Sequence, residues 1–287
     1  MDWVGFENRD WLGFEWSPWL SLNPEDEELS EIPTDEGLYR VRHVEREGLE
    51  YIGETGRSVR GRVMALARGA YAGEMPYRDP HVGAPCMWAV RQEDGPTFEV
   101  SYITPDEATD KATRKSLEAA LIASYRRAVG KSPTGAFSRI IPGYTMSSYS
   151  KNENRGGLLP EGKAEPYAEP GIAPLEWQSY EDPTAVDWMG LKWSEPLELA
   201  EVSTTVPATN GVYRIWDSTS PHPLTYIGES ANLRSRLKTH KRNRRNKLLF
   251  SYSAPDGIDA KHKRLEAETD LIGAHWLAVG KPPMDQH

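Results

Sequence analysis

An internal repeat constrains the fold of this chain more than any other feature of its sequence. Short motifs from the first half of the 287 residues return in the same order in the second half. A motif series repeated in one order indicates that one architecture is built twice, and each copy has enough residues to bury a core of its own. The paired segments are DWLGFEWS (10–17) with DWMGLKWS (187–194), GLYR (37–40) with GVYR (211–214), YIGET (51–55) with YIGES (226–230), and GK (130–131) with GK (280–281).

The stretch between the two copies differs in composition from either of them. Residues 151–185 are rich in Gly, Pro and Glu and show no sustained hydrophobic period, which is typical of a linker or an extended strap. The first copy also holds an insertion, rich in turn formers, between its YIG motif and Pro105. We therefore expect an acidic, Trp-rich leader at 1–34, a first module at 35–150, a linker with a second Trp leader at 151–205, and a second module at 206–287.

Each copy is predicted to combine a β-hairpin with helices. Residues 211–216 are rich in β-branched and aromatic side chains and predict a strand, and residues 224–227 are expected to form the returning strand. Ser230 and Asn232 are candidate N-caps of the helix that follows. Sheets and helices packed in this way indicate an α+β fold. Further elements are expected as helices at roughly 109–129 and 259–279 and as a strand at 97–102.

The composition argues against several classes of protein. Cys86 is the single cysteine, so an intrachain disulfide is impossible and a cysteine-based zinc site is not expected. No apolar run approaches the ~20 residues of a membrane helix, and the N-terminus lacks a secretory pattern, so we expect a cytoplasmic protein without a membrane partner. The net charge of -9 argues at first against a nucleic-acid partner. Residues 206–287, however, carry thirteen basic and eight acidic side chains, and local field matters more than total charge for phosphate contact.

The order and spacing of these motifs resemble the GIY-YIG nuclease superfamily. In the second copy the similarity runs from the Gly-Val-Tyr strand through Tyr226-Ile-Gly and Arg236 to Glu268-x-x-Leu-Ile. The resemblance implies an α+β fold with two tandem GIY-YIG-like modules, each a small three-stranded antiparallel sheet flanked by helices. It also implies a metal-dependent endonuclease that hydrolyses phosphodiester bonds. DNA is the better candidate substrate than RNA, and Mg²⁺ or Mn²⁺ is the implied cofactor.

The resemblance also assigns one set of site residues to each copy. In the second copy the implied catalytic residues are Tyr213, Tyr226, Arg236 and His240, with Glu268 as the metal ligand. In the first copy they are Tyr39, Tyr51 and Arg62, with Glu118 as the metal ligand. The distance from the YIG motif to Arg62 is one residue longer than in the second copy, so Arg60 is a competing assignment.

The chemistry of phosphodiester hydrolysis suits these side chains. A carboxylate such as Glu268 can hold one Mg²⁺, which prefers oxygen ligands and keeps several waters. Arg236 can fork onto phosphate oxygens. A phenol, Tyr213 or Tyr226, can orient the attacking water or take its proton, but an ordinary Tyr pKa of ~10 means that the second role needs nearby positive charge. His240 could shuttle a proton.

The sequence departs from the family pattern in both copies. The family usually has an Asn after the Glu-bearing helix, where the second copy has Asp285 or Gln286 and the first copy has no polar substitute. The first copy also has Leu66 where the second has His240, so we expect the second copy to be the better catalyst. The second copy is also the basic one, with a run that could neutralise several phosphates. This run contains Lys238, Lys241, Arg242, Arg244, Arg245 and Lys247.

Two other functions fit the sequence. A catalytically degenerate nucleic-acid-binding protein of the same fold would explain the missing Asn and the acidic total, and a protein-interaction scaffold would use the acidic flanks and the many Trp residues. We expect the Trp-rich leaders to dock each module rather than to stack on bases. His81 and Cys86 are expected to be structural, because two ligands are too few for a metal. If both copies are active, a monomer could act as an intrachain pseudo-dimer with one site for each strand of a duplex.

Overall fold

The protein is an α+β protein with antiparallel sheets, as the sequence predicts. Its computed structural model contains five α-helices within the described part of the chain. Among these helices, none combines the length and the apolar character that a bilayer span requires. The residues that the structure describes are 5–150, 152–202, 206–244 and 247–286.

The chain folds into two compact units, each assembled from two segments. The stretch predicted as a linker is divided between them, and the second unit also includes residues 115–131 from the first half of the chain. The first unit comprises Met1–Arg114 and Ser132–Pro170, and the second comprises Lys115–Lys131 and Gly171–His287.

The first unit is built around a four-stranded antiparallel sheet with helices packed on it. A separate two-stranded ribbon follows later in the chain. The elements in chain order are strands β1 (Leu20–Ser21), β2 (Gly37–His43) and β3 (Leu49–Thr55), helices α1 (Val59–Ala70) and α2 (Ala84–Asp94), strand β4 (Phe98–Ile103), helix α3 (Lys111–Val129), whose first residues belong to this unit, and the ribbon strands β5 (Tyr144–Thr145) and β6 (Gly157–Leu158).

The strands of this sheet lie in the order β1-β4-β2-β3. Helix α1 buries Val59, Val63 and Leu66 in the core of the unit, as the spacing of three to four residues along one helix face requires. The helix begins after Ser58, whose hydroxyl accepts a hydrogen bond from the backbone N–H of Gly61 at 3.0 Å. The side chains of α1 are thereby fixed relative to the β2–β3 hairpin.

The second unit contains a sheet whose four strands pair in the same order as those of the first unit. The register places Tyr213 opposite Gly228 on one side and opposite Tyr252 on the other. Its elements are strands β7 (Leu197–Glu198), β8 (Gly211–Trp216) and β9 (Tyr226–Ser230), helix α4 (Leu233–Asn243), strand β10 (Leu249–Ser253) and helix α5 (Lys261–Val279).

The prediction of three strands in each sheet is wrong, because each sheet has a fourth strand of two residues. In the first unit Leu20 of β1 pairs with Val100, and in the second unit Leu197 of β7 pairs with Phe250. These strands come from the segments that precede each hairpin, and they satisfy backbone groups on an otherwise open sheet edge. Two residues are too few to produce an alternating pattern, so the sequence carries no signal for them.

Most of the remaining elements confirm the predicted pattern. Strand β8 occupies the predicted residues 211–216, and helices α3 and α5 each begin two residues after the predicted start. Strand β9 begins at Tyr226 rather than at 224 and continues past Gly228. Neither helix α2 nor strand β10 is predicted in the sequence analysis. For α2 the reason is that its apolar residues are not arranged in one clear stripe.

Each leader is held to its sheet by a buried arginine that directly follows the strand tyrosine. The Arg214 guanidinium lies 4.3 Å from the ring centroid of Trp193 and donates to two backbone carbonyls of the preceding segment at 2.6 and 2.9 Å. Arg40 lies 4.2 Å from the ring centroid of Trp16 in the first unit. Burial lowers the pKa of Arg40 to about 9 and that of Arg214 to about 10, so both remain charged at neutral pH. The prediction that the leaders dock on their modules is confirmed.

We expect Arg214→Ala to lower the free energy of unfolding of the second unit by about 2–4 kcal/mol, because two leader carbonyls and the Ser251 hydroxyl lose their buried donor. Urea unfolding followed by Trp fluorescence measures the change. The matched control is Arg242→Ala, which removes an exposed arginine from α4 and is expected to change the value by no more than about 0.5 kcal/mol. Equal effects of the two substitutions would contradict the anchoring role.

Candidate active site

The site of the second unit begins with a pair of stacked tyrosines on adjacent strands. Tyr213 on β8 and Tyr226 on β9 have ring centroids 6.0 Å apart and planes inclined by 18°. Tyr213 lies opposite Gly228, and its ring crosses directly over that residue. A Cβ atom at Gly228 would collide with the hydroxyl end of the Tyr213 ring and with the edge of Tyr226. The glycine of the YIG motif is therefore required by the close approach of the phenol.

Helix α4 brings a guanidinium and an imidazole to the phenol oxygens. Asn232 caps the helix by accepting from the N–H of Ser235 at 3.0 Å. Arg236 and His240 follow four residues apart and therefore lie on one helix face. Arg236 Nε donates to Tyr213 Oη at 3.0 Å and Nη2 donates to the hydroxyl of Tyr226 at 3.3 Å. His240 Nε2 lies 2.9 Å from Tyr213 Oη, so the two helix residues converge on one oxygen.

Burial and the nearby arginines shift the pKa values of both His240 and Tyr213. Burial, followed by the charges of Arg244 and Arg236, lowers the pKa of His240 to about 4. Burial also raises the pKa of Tyr213 well above its usual value of 10, although Arg236 acts in the opposite direction. At neutral pH the imidazole is therefore neutral and the phenol keeps its proton.

Glu268 on α5 supplies a carboxylate beside the hairpin. Its Oε1 accepts a hydrogen bond from the backbone N–H of Glu229 at 3.1 Å, which fixes the carboxylate next to the YIG glycine. Burial and then the charge of Glu229 raise the pKa of Glu268 to about 7, and the charge of Arg236 lowers it. Glu229 itself is paired with Arg264, with 2.7 Å between Oε2 and Nε. The effect of Arg236 on the pKa of Glu268 means that the two side chains are close enough for their charges to interact.

Glu268 fits the requirements of a site for one hard cation. Within the residues that the structure describes, no group of three or more His, Cys, Asp or Glu side chains is arranged to hold a metal. Mg²⁺, however, is commonly held by one or two carboxylates, with the remaining ligands from water and substrate phosphate. Burial and Glu229 disfavour the ionised form of this carboxyl, and a nearby positive charge would act in the opposite direction.

The residues near the C-terminus, which the sequence offered as replacements for the family Asn, have two separate contacts. Asp285 forms an ion pair with Arg244. Gln286 is buried, and its side-chain amide bonds both backbone groups of Ile227, accepting from N–H and donating to C=O at 2.9 Å each. Gln286 therefore holds the strand that carries Tyr226, while Asp285 contacts the arginine that reaches His240.

The predicted basic run does not behave as one surface. Arg244 is turned inward, with its side chain 15 % exposed, and donates from Nε to His240 Nδ1 at 3.2 Å. Arg245 lies outside the described residues. The remaining four members are exposed, namely Lys238, Lys241, Arg242 and Lys247. Arg244 thus differs from the other described members of the run, and the spacing of charges in the sequence could not reveal this.

The first unit contains a similar pair of tyrosines. Tyr39 and Tyr51 have ring centroids 6.0 Å apart and planes inclined by 21°, and Tyr39 lies opposite Gly53, over which its ring passes. Glu118 lies on α3 within the segment assigned to the second unit.

Two arginines of α1 compete for the role of Arg236, and their contacts separate them. Arg60 donates to the carbonyl of Ile32, just as Arg234 donates to that of Val206 in the second unit. Arg62 comes four residues after the helix cap Ser58, as Arg236 does after Asn232, and it lines an open pocket of about 790 Å³. The extra residue is absorbed in the turn before the cap. Arg62 is therefore the spatial counterpart of Arg236.

The first unit also has an imidazole on its strand tyrosine, although the sequence gives Leu66 at the position of His240. Leu66 is buried in the core. His81, from the insertion, places Nε2 at 2.6 Å from Tyr39 Oη, and its Nδ1 accepts from the backbone N–H of Gly83 at 3.1 Å. Burial, followed by the charge of Arg62, holds the pKa of His81 well below its usual range. The expectation of a merely structural His81 missed this contact, because no spacing rule connects the insertion to the tyrosine.

Comparison with known proteins gives one positive result. Residues 209–274 match the family model described as the GIY-YIG catalytic domain. The matched range contains β8, β9, α4, β10 and most of α5, and it includes all five side chains of the second-unit site. No curated protein and no solved structure matches the chain. The second unit therefore contains a GIY-YIG-type domain within residues 209–274.

Gly228→Ala is expected to lower the free energy of unfolding of the second unit by about 1–3 kcal/mol, because the new methyl group forces the Tyr213 ring out of its place. Urea unfolding and near-ultraviolet circular dichroism of the aromatic residues provide the measurements. Gly61→Ala is the control, since a Cβ there meets nothing closer than 3.5 Å and Ala favours a helix. A Gly228→Ala protein as stable as the control protein would show that the close approach is not required.

Proposed function

We propose that the second unit is a metal-dependent endonuclease module that hydrolyses phosphodiester bonds, with DNA as the preferred substrate. The observation that carries this proposal is the convergence of two phenols, a guanidinium, an imidazole and a carboxylate within a segment that matches the GIY-YIG catalytic domain. These side chains come from two strands and two helices. Arg236 and His240 meet at the Tyr213 oxygen, Tyr226 contacts the same Arg236, and Glu268 lies close enough to interact with the charge of that arginine.

Arg236 is the group best placed to bind the phosphate. Its side chain is exposed, and its guanidinium is held by the hydroxyls of Tyr213 and Tyr226. A guanidinium that is oriented before the substrate arrives does not lose as much freedom on binding, and its planar donors suit phosphate oxygens. We therefore assign Arg236 to hold the scissile phosphate and to stabilise its growing negative charge.

Tyr213 is the better candidate than Tyr226 for contact with the attacking water. Its oxygen lies between Arg236 Nε and His240 Nε2, so positive charge and a neutral imidazole both face it. Burial raises the pKa of the phenol, so the phenolate depends on these neighbours for its stability. Tyr226 contacts Arg236 at the outer edge of the pair and is assigned to orient that side chain.

Glu268 would hold a divalent cation, Mg²⁺ or Mn²⁺. When bound, the ion supplies positive charge for the phosphate and the leaving oxygen. The carboxylate contributes by its fixed position, which the backbone N–H of Glu229 maintains. The ion pair between Glu229 and Arg264 keeps the second nearby carboxylate neutralised.

The proposal extends to the first unit as a second copy of the same module. Its sheet has the same strand order, its tyrosine pair stacks at the same distance, and it carries an arginine and an imidazole near these tyrosines. Under this proposal the chain is a tandem protein in which each copy cuts one strand of a duplex as an intrachain pseudo-dimer.

We expect Glu268→Gln and Tyr213→Phe each to reduce cleavage by the second site at least about a hundredfold, because each removes a group that acts on the reacting phosphate or water. The measurement is nicking and linearisation of supercoiled plasmid with Mg²⁺ or Mn²⁺, and its loss with a chelator. Glu195→Gln, at an exposed position of the leader, is the control and should cleave like the unmodified protein.

The pattern of products separates the possible outcomes. Loss of linear product with retained nicking in Glu268→Gln supports one site for each strand. Cleavage of both strands at an unchanged rate would overturn the assignment of Glu268. Binding of DNA without any cleavage by the unmodified protein would favour a catalytically degenerate nucleic-acid-binding protein instead.

Lys238, Lys241 and Arg242 are expected to bind the nucleic-acid backbone, because all three are exposed on α4, the helix that carries Arg236. Replacing all three by Gln should weaken duplex binding. The binding constant should also fall less steeply with salt, because the slope of its logarithm against the logarithm of salt concentration loses about 0.9 in magnitude for each phosphate that is no longer neutralised. Fluorescence anisotropy of a labelled duplex at several salt concentrations measures this slope. Lys192→Gln, at an exposed leader position, is the control, and an unchanged slope in the triple variant would exclude this surface.

A further inference from the structure

The two units place an imidazole on the same atom of the strand tyrosine, but the two histidines come from different parts of the fold. His240 lies on helix α4, whereas His81 lies in the insertion between α1 and α2. We infer that each unit holds one imidazole in the Nε2–H tautomer as a donor to its strand tyrosine, fixed by Arg244 in the second unit and by the backbone amide of Gly83 in the first. On this basis, which rests on the proposed function, His81, Arg244 and Asp285 are positioning residues.

The contacts of His240 determine where its proton lies. Arg244 Nε is 3.2 Å from His240 Nδ1, and a guanidinium nitrogen can only donate. Nδ1 must therefore accept, which leaves the single proton of the neutral ring on Nε2. The Nε2–H group then donates to Tyr213 Oη at 2.9 Å. Tyr213 Oη consequently accepts from both His240 and Arg236.

The contacts of His81 lead to the same proton position by another route. The donor to His81 Nδ1 is the backbone N–H of Gly83 at 3.1 Å, and a backbone N–H also cannot accept. Nε2 must carry the proton and donate to Tyr39 Oη at 2.6 Å. A main-chain amide thus does in the first unit what an arginine does in the second.

The direction of this hydrogen bond matters for the chemistry of the phenol. In the opposite tautomer the imidazole would accept the phenol proton and compete for it. In the Nε2–H tautomer it donates to the oxygen and therefore stabilises a phenolate. The other ring nitrogen decides between these two states, so its partner controls the tyrosine without touching it. Arg244 and the Gly83 amide are each such a partner.

Asp285 completes the arrangement in the second unit. It forms an ion pair with Arg244, and the Arg244 guanidinium lies 5.4 Å from the ring centroid of Tyr226. The arginine is thereby held between a carboxylate and an aromatic ring while its Nε faces the imidazole.

The test is the tautomeric state of each histidine in the full-length protein, read from long-range ¹H–¹⁵N correlation spectra at pH 7 without nucleic acid. His81 and His240 are both expected to show a protonated Nε2 and an unprotonated, hydrogen-bonded Nδ1. Arg244→Leu should convert His240 to a mixture of tautomers or to the Nδ1–H form, and His81 should remain unchanged. Arg242→Leu, two residues away on the exposed face, should affect neither ring.

Two results would overturn the inference. One is an Nδ1–H tautomer at either histidine in the unmodified protein. The other is an Arg244→Leu spectrum in which His240 keeps its tautomer. Should Arg244→Leu fail to fold, Asp285→Asn provides the second variant, and it should weaken the Nε2–H preference of His240 while leaving His81 unchanged.

The spectra require no cleavage, so they distinguish this inference from the proposed nuclease activity. If the protein cuts plasmid, Arg244→Leu should lower the rate of the second site at least about tenfold. Arg244→Lys should not restore the rate fully, because an ammonium lacks the planar fork that reaches His240 and Asp285 together. An Arg244→Leu protein with altered tautomer and unchanged cleavage would show that the tautomer is irrelevant to the reaction.

Discussion

The close packing of a strand tyrosine over the glycine of the neighbouring strand is the constraint on which the candidate site depends. In the second unit Tyr213 can cross to Gly228 only because that residue has no Cβ. The crossing places the phenol oxygen where α4 delivers Arg236 and His240. Burial at this place raises the pKa of the phenol, so donors to its oxygen become essential to any chemistry that needs its charged form.

The arginine that follows each strand tyrosine, Arg40 or Arg214, anchors the opposite face of the sheet to the leader. Neighbouring residues of a strand point to opposite faces, so Tyr213 faces α4 while Arg214 faces the Trp-rich leader. The leader stacks on the guanidinium and adds the fourth strand at the sheet edge. Tyr-Arg in the repeated GLYR and GVYR motifs thus joins the face of the candidate site to the face that the leader covers, in two adjacent residues.

The sequence predicted those parts of the molecule that depend on local pattern. Strand β8 and helices α3 and α5 follow from residue composition, hydrophobic period and motif spacing, whereas the choice between Arg60 and Arg62 needed their contacts in the structure. The features that it could not predict depend on contacts between distant segments. His81 reaches Tyr39 from an insertion that has no equivalent in the second copy. Arg244 differs from the exposed Arg242 because it meets His240 and Asp285.

In both units the glutamate that follows the YIG glycine is paired with a buried arginine, which leaves it less available to a cation. Glu54 and Glu229, which follow the YIG glycines, are paired with Arg114 and Arg264 at 2.6 and 2.7 Å. The paired carboxylates are already balanced by a fixed positive charge. Glu268 has instead a pKa of about 7, raised by burial and by Glu229. Because a cation gains more from a carboxylate that no fixed positive charge balances, the proposed metal ligand of the second unit is Glu268 rather than Glu229.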